Sequence, residues 1–333
     1  MVGKKILTSI LGAVISTSIL VGCSNDNAAK SKKIANIGVL QFVEHSALDL
    51  SLEGFKAGLE SKGLKEDVDF TIDLQNAQGD IPTAQTMANN FVSNKKDLIF
   101  AIATPAAQAA YNLTKQIPIL FTAVTDPVKA ELVESMEKSN TNVTGTSDEL
   151  PLDKQFDLIK KLIPNAKKIG ILYNTSEINS ELQVKKATDL AKEKGFEIIS
   201  LGVNSSNDMS QGLANILQKV DVLYTPTDNL IASSMPLISE KAIEKGIPVI
   251  GAEKAHVDGG ALAAEGIDYY NLGFQTGIMA SEIIANGKNP KDMSVETLKE
   301  TTLVINESTA KKLNIEIPED LAAKAKFVKD GEN

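Results

Sequence analysis

Apolar positions along this chain alternate between two periods. Residues 34–42 (IANIGVLQF) form an almost continuous apolar run, which predicts a buried strand. Residues 45–62 then carry Leu48, Leu52, Phe55 and Leu59 at helical spacing. Strands are predicted at 68–74, 98–103 and 118–124, with helices at 83–92 and 105–114 between them. Residues 141–147 predict a hinge strand, after which the alternation restarts. Helices are predicted at 152–162, 178–194, 209–219, 229–245 and 269–285, the fourth with Pro236 near its first turns. Strands fall at 168–173, 196–203, 220–224, 248–251 and 261–266. Beyond Asn286 the pattern weakens to a strand around 303–305 and a helix over 319–328. Repeated βα units build parallel sheets with helices on both faces. Two successive series of similar size predict an α/β protein of two lobes rather than one large sheet, in line with the length of the chain.

The first residues follow another logic. Lys4 and Lys5 precede an uncharged run over 6–22, which ends in Leu20-Val21-Gly22-Cys23. A positive start, an apolar middle and small residues at the end have the order of a secretory signal peptide. The run is short for a membrane span, and Thr8, Ser9, Ser16, Thr17 and Ser18 make it weakly apolar. Cys23, the single cysteine, directly after the small residue resembles a bacterial lipobox, whose thiol receives a diacylglycerol. Residues 1–22 are therefore expected to be a lipoprotein signal, Cys23 a lipidation site and 23–33 a flexible polar tether. The body would then work on the extracytoplasmic face of the cell membrane, held there by lipid.

Composition narrows the chemistry. The net charge is −9, and the signal segment holds two lysines and no acids, so the body is more acidic still. Such a charge disfavours nucleic acid as a partner. With Cys23 acylated, no thiol is left for a disulfide, a metal or a nucleophilic role. His45 and His256 are the two histidines, and no metal-ligand spacing, Walker A or Gly-x-Ser-x-Gly pattern occurs. No cofactor and no catalysis are expected. All 34 basic residues are lysine. Arginine is the usual bidentate clamp for a carboxylate. A carboxylate ligand would have to be held by helix N-terminal amides, hydroxyls or a lysine.

In open α/β sheets, ligands bind outside the carboxyl ends of the strands. The residues just after each predicted strand are the candidates: Glu44 and His45, Thr104 to Ala107, Asp126, Asn174 and Ser176, Asp228 and Asn229, and Glu253. Thr104-Pro105 is a helix-start signal, a hydroxyl at N-cap and proline at N1. The amides of Ala106 and Ala107 carry small side chains, so a carboxylate can approach them. Simple self-capping accounts for the same residues. Asp228 is either a helix cap or an acceptor for an ammonium group, Asp126 is often only a turn residue, and Glu253 can be solvated surface.

Several segments together resemble a known family: Gln41-Phe42-Val43-Glu44-His45-Ser46, Ala103-Thr104-Pro105-Ala106-Ala107, Thr125-Asp126-Pro127, Asn142-Val143-Thr144-Gly145, Tyr173-Asn174-Thr175-Ser176-Glu177, Thr225-Pro226-Thr227-Asp228-Asn229 and Gly266-Ile267-Asp268-Tyr269. Their order and spacing are similar to substrate-binding proteins of ABC transporters in the tryptophan/tyrosine group. The resemblance implies a type I periplasmic-binding fold, with two Rossmann-like lobes joined by three hinge crossings. It implies a monomeric importer component that binds an amino acid, aromatic in this group (tryptophan, phenylalanine or tyrosine), and delivers it to an ABC permease. It also implies discontinuous domains: 34–145 plus about 267–297 in the N-terminal lobe, and 146–266 plus about 298–333 in the C-terminal lobe. Ser46 and Thr175 stand where the family pattern leads one to expect proline. On this reading Thr104 and the amides of Ala106 and Ala107 take the α-carboxylate. Asp228 takes the ammonium, with Glu253 or Asp126 as alternatives. Asn174, Ser176 and Asn229 close from the second lobe, and Glu44, His45 and Leu48 line the side-chain end. The competing expectations are a sensory lipoprotein that presents its ligand to a membrane receptor, and an enzyme on the same fold.

Overall fold

The computed structural model describes residues 34–329. The expected signal segment, Cys23 and the tether up to residue 33 lie outside the described residues.

The first lobe begins with β1 (Ala35–Gln41), α1 (Ser46–Ser61), β2 (Phe70–Asn76) and α2 (Ile81–Ser93). It continues with β3 (Leu98–Ile102), α3 (Thr104–Leu113), β4 (Ile119–Val124) and β5 (Val143–Ser147). The second lobe follows as α4 (Leu152–Leu162), β6 (Lys168–Asn174), α5 (Ile178–Lys194), β7 (Glu197–Val203), α6 (Ser206–Ile216) and β8 (Val222–Thr225). Then come α7 (Asn229–Ser233), α8 (Met235–Glu244), β9 (Val249–Gly251), α9 (Lys254–Asp258) and β10 (Ala263–Gly266). The remainder is α10 (Tyr269–Asn286), a 3-10 turn at Pro290–Asp292, β11 (Glu296–Thr297), β12 (Thr302–Asn306), α11 (Glu307–Lys312), α12 (Glu319–Ala322) and β13 (Lys326–Val328).

Two sheets result, in the orders β11-β5-β4-β3-β1-β2 and β13-β12-β10-β9-β8-β6-β7. Every pairing is parallel except β10 with β12. Strands buried on both faces read as apolar runs; β3 and β4 are buried at every position. The chain passes between the sheets three times: after β5, between β10 and α10, and between β11 and β12. The two-lobed α/β architecture with three crossings is thus as the sequence implied. No helix among the described residues is long and apolar enough to cross a membrane.

Helix α10 follows the strands of the second lobe in sequence but packs on α1 of the first. The contact is closer than side chains allow. A Cβ at Gly54 would meet the Tyr270 carbonyl oxygen at 2.0 Å, and one at Gly273 would meet that of Ser51 at 1.9 Å. Glycine on both helices lets the two backbones touch. The N-terminal ends of both helices reach the space between the lobes, carrying His45 and Leu48 on one side and Tyr269 on the other. Beneath α1, Phe55 stacks on Phe100 of β3 with centroids 3.9 Å apart.

Three local expectations are corrected. The helix over 229–245 is two helices, because Pro236 has no N–H to continue the α7 ladder and α8 restarts with it in the first turn. The helix over 319–328 ends at Ala322; residues 326–328 pair in parallel with β12 as a strand, tertiary pairing overriding a weak helical pattern. A short helix, α9, follows β9 where only a loop was read.

Candidate functional site

The carboxyl ends of the two sheets face each other, and the loops that leave them line a small, narrow cavity. The first lobe contributes His45, Leu48 and Ala123. The crossings contribute Asp148, one residue past β5, and Tyr269, the first residue of α10. The second lobe contributes Asn179, Thr227, Asp228, Asn229, Ala232 and Glu253. Backbone strain collects at the first-lobe wall. Ala123 has φ +56° within β4, and Ala103, which links β3 to α3, has φ +85°. Alanine in the left-handed region costs energy, and such residues gather at ligand sites.

Two buried polar networks build the walls. In the second lobe, Asp228 is the N-cap of α7 and its Oδ1 accepts from the Ile231 amide at 3.0 Å. Its Oδ2 accepts from the Asn174 amide at 2.6 Å. Both oxygens therefore fix the loop. Glu177 lies behind it, accepting from Asn174 Nδ2 at 3.0 Å, from the Asn229 amide at 3.3 Å and from Asn229 Nδ2. Burial, then the neighbouring Asp228 charge, pushes the Glu177 carboxyl up to about 7. Burial pushes Asp228 up as well. Asn174 Oδ1 accepts from the Ser176 amide at 3.0 Å, so both residues brace this network rather than close over the cavity.

The second network lies at the crossings. The Tyr269 hydroxyl donates to Asp148 Oδ2 at 2.7 Å. Asp148 Oδ1 is buried and makes no hydrogen bond; the nearby Thr125 hydroxyl is paired with that of Thr227 at 3.1 Å. Burial raises the Asp148 carboxyl to about 6, against the lowering effect of Tyr269 and Thr125. His256 Nδ1 accepts from the Ala252 amide at 3.3 Å, so its N–H is on Nε2, 3.1 Å from Glu253 Oε1. Burial raises the Glu253 carboxyl, but His256 and His45 outweigh it and the net shift is downward. Both ring nitrogens of His45 are buried without a partner, and burial lowers its pKa, leaving a neutral imidazole with one donor and one acceptor.

The sequence-derived candidates thus divide. His45, Leu48, Asp228, Asn229 and Glu253 line the cavity. Glu44 is exposed. Thr104, Ala106 and Ala107 are buried at the start of α3 and do not line it. The N-cap there is Ala103 and not Thr104, because the helix begins one residue early, and the Ala107 amide is already bonded to the Ala103 carbonyl at 3.1 Å. The displaced Thr104 hydroxyl is left buried without a partner. Asp126 makes a turn with the Lys129 amide (3.0 Å) and faces Lys186 of α5 across the rim at 3.4 Å. Sequence reasoning missed Ala123, Asp148, Asn179 and Ala232, and gave Tyr269 no role at the site. Asp148 stood one residue beyond the predicted hinge strand, where the rule for strand ends would have found it.

Comparisons with known proteins agree on one family. The profile described as ABC transporter substrate binding protein matches residues 36–329. A tyrosine-binding protein of Clostridioides difficile (strain R20291) is 49% identical, over 99% of this chain and 97% of its own length. An ABC domain in complex with L-Trp from Streptococcus pneumonia is 39% identical, with a TM-score of 0.86 over 89% of this chain and 100% of that one. A ligand-free, open substrate-binding protein with adhesive properties from Clostridium difficile is 49% identical, also over 89% and 100%, yet its TM-score is 0.69. The higher score goes with the bound ligand and not with the higher identity. The lobes here are therefore nearer the liganded arrangement than the open one, as the buried Thr125–Thr227 contact between them requires.

Proposed function

This chain belongs to the ABC transporter substrate-binding protein family, and on that premise we propose that it is the lipid-anchored, extracytoplasmic receptor of an importer for an aromatic amino acid, tyrosine or tryptophan. One observation carries the reading: a cavity that draws its walls from both lobes and holds unsatisfied polar atoms beside small apolar ones. Buried polar groups in folded proteins are paired. Unpaired Asp148 Oδ1, Asn179 Oδ1 and His45 nitrogens therefore favour a ligand that supplies their partners. Ala123, Ala232 and Leu48 give the same walls a small apolar surface.

Binding and closure are one event. A ligand that touches both lobes favours the closed state by its differential affinity for it. The closed form is then offered to the permease. Acylation of Cys23 would hold the body near that partner and raise its effective concentration.

The reading is tested by thermal-shift screening of the soluble 24–333 fragment, freed of bound ligand by unfolding and refolding, against all amino acids. A ligand at a hundred times its dissociation constant adds roughly 2.7 kcal/mol of stability. Tyrosine, tryptophan or both should give the largest shift. No shift with any aromatic amino acid would overturn the assignment.

A further inference from the structure

We propose that the ligand's ammonium group is held at the hinge, by Asp148 Oδ1 at the first crossing together with Asn179 Oδ1 from the second lobe. The inference rests on the amino-acid reading above and assigns a part of that site which the sequence pattern gave to Asp228.

The carboxylates around the cavity can be separated by what their oxygens already do. Asp228 spends both on the backbone amides of Asn174 and Ile231. Glu177 receives Asn174 and Asn229 and does not line the cavity. Glu253 Oε1 lies 3.1 Å from His256 Nε2, an ion-pair contact without a hydrogen bond, and none of its oxygens is both buried and unpaired. Asp126 is engaged by the Lys129 amide and by Lys186 at the rim. Asp148 alone among them lines the cavity with a buried oxygen that has no partner. Its other oxygen is fixed by Tyr269 at 2.7 Å, which sets the direction of the free one.

Asn179 supplies a second acceptor. Its Nδ2 donates to the Thr227 carbonyl at 3.0 Å, which orients the amide and leaves Oδ1 buried, unpaired and lining the same cavity. An ammonium has three N–H donors and no acceptor. One carboxylate oxygen and one amide oxygen, both desolvated, with no lysine lining the cavity, make the complementary set. The placement also has a mechanical consequence. Asp148 stands between the lobes and Asn179 at the start of α5, so an ammonium that bridges them exists only when the second lobe has swung onto the crossing. The amino group, common to all amino acids, then drives closure, while side-chain choice is left to the rest of the cavity.

The test is isothermal titration of the full chain in detergent micelles. The probes are L-tyrosine and L-tryptophan, and their des-amino analogues 3-(4-hydroxyphenyl)propionate and indole-3-propionate. Asp148→Asn keeps the shape and removes the charge. It should weaken the amino acids about a hundredfold, as loss of one partner of a buried charged pair does, and leave the weak binding of the des-amino analogues unchanged. Asn179→Ala should act the same way with a smaller loss. Circular dichroism of the ligand-free variants checks that they fold. Equal weakening of amino acids and analogues, or no weakening by Asp148→Asn, overturns the proposal and leaves the amino-acid reading standing. Failure of the wild-type chain to bind either amino acid overturns that reading and the proposal with it.

Discussion

The Tyr269 hydroxyl lies 2.7 Å from Asp148 Oδ2 and joins two of the three crossings between the lobes. Asp148 ends the passage out of β5, and Tyr269 opens α10, which packs on α1 through paired glycines. Tyr269→Phe leaves a buried carboxylate oxygen without its donor, which costs about 1–3 kcal/mol. Urea denaturation of the ligand-saturated protein should show that loss. An unchanged midpoint would mean that the contact does not hold the crossings together.

Acid should loosen the ligand. Asp148 titrates near 6 in the closed form because it is buried. The groups facing it are Tyr269 from α10, Thr125 from the end of β4 and Glu253 from the β9–α9 loop, none of them a cation. Below that pH the carboxyl is neutral and offers an ammonium no charge. Affinity measured by calorimetry should fall steadily from about pH 7 to about pH 5, and Asp148→Asn should flatten the profile. A flat wild-type profile would contradict the role given to Asp148.

The second lobe carries the opposite stability signature. The Glu177 carboxyl is raised to about 7 by burial and by Asp228, from an ordinary value of 4.5. A raised carboxyl holds its proton in the folded chain and not in the unfolded one, so its contribution is lost as pH rises through the folded value. Ligand-free protein should therefore gain roughly 1 kcal/mol on going from about pH 8 to about pH 6.5. His45, whose pKa burial lowers from 6.5, already offsets part of this gain at the acid end of the window and more below it. Calorimetric melting at the two values checks the sign; higher stability at the alkaline end would contradict it.

Lys186 stands across the rim from Asp126 at 3.4 Å and also pairs with Glu149 at 2.6 Å. Its side chain is 45% exposed, so the pairs are worth at most about 1 kcal/mol. Lys186→Met should raise ligand off-rates by about fivefold or less, equally for every ligand. Stopped-flow displacement gives those rates. A changed order of ligand preference would place Lys186 in the site rather than on its rim.

Periodicity carried the α/β alternation, because strands buried on both faces and amphipathic helices differ in period, and β3 and α1 show this directly. Strand ends also pointed to His45, Asp228 and Glu253. What they could not show is which oxygen is already taken. Asp228 reads in sequence as a helix cap or an ammonium acceptor; it caps α7, and its other oxygen is claimed by Asn174, far away along the chain and a neighbour only once β6 and β8 pair. Thr104 looks like a cap, yet the helix begins one residue sooner and strands its hydroxyl. Asn179 and Tyr269 sit inside first helical turns, where sequence alone does not separate a core position from a cavity wall. Pro236 stands inside one predicted helix; that it breaks this helix into α7 and α8 depends on the ladder it interrupts.

The most direct measurement is a crystal structure of the 24–333 fragment with L-tyrosine or L-tryptophan. The account predicts one ligand molecule in the cavity between His45 and Asn229, with the lobes closed and the Thr125–Thr227 contact intact. Its ammonium should lie within hydrogen-bonding distance of Asp148 Oδ1. An empty cavity with ligand elsewhere, or a ligand held by one lobe while the other stays open, would contradict it.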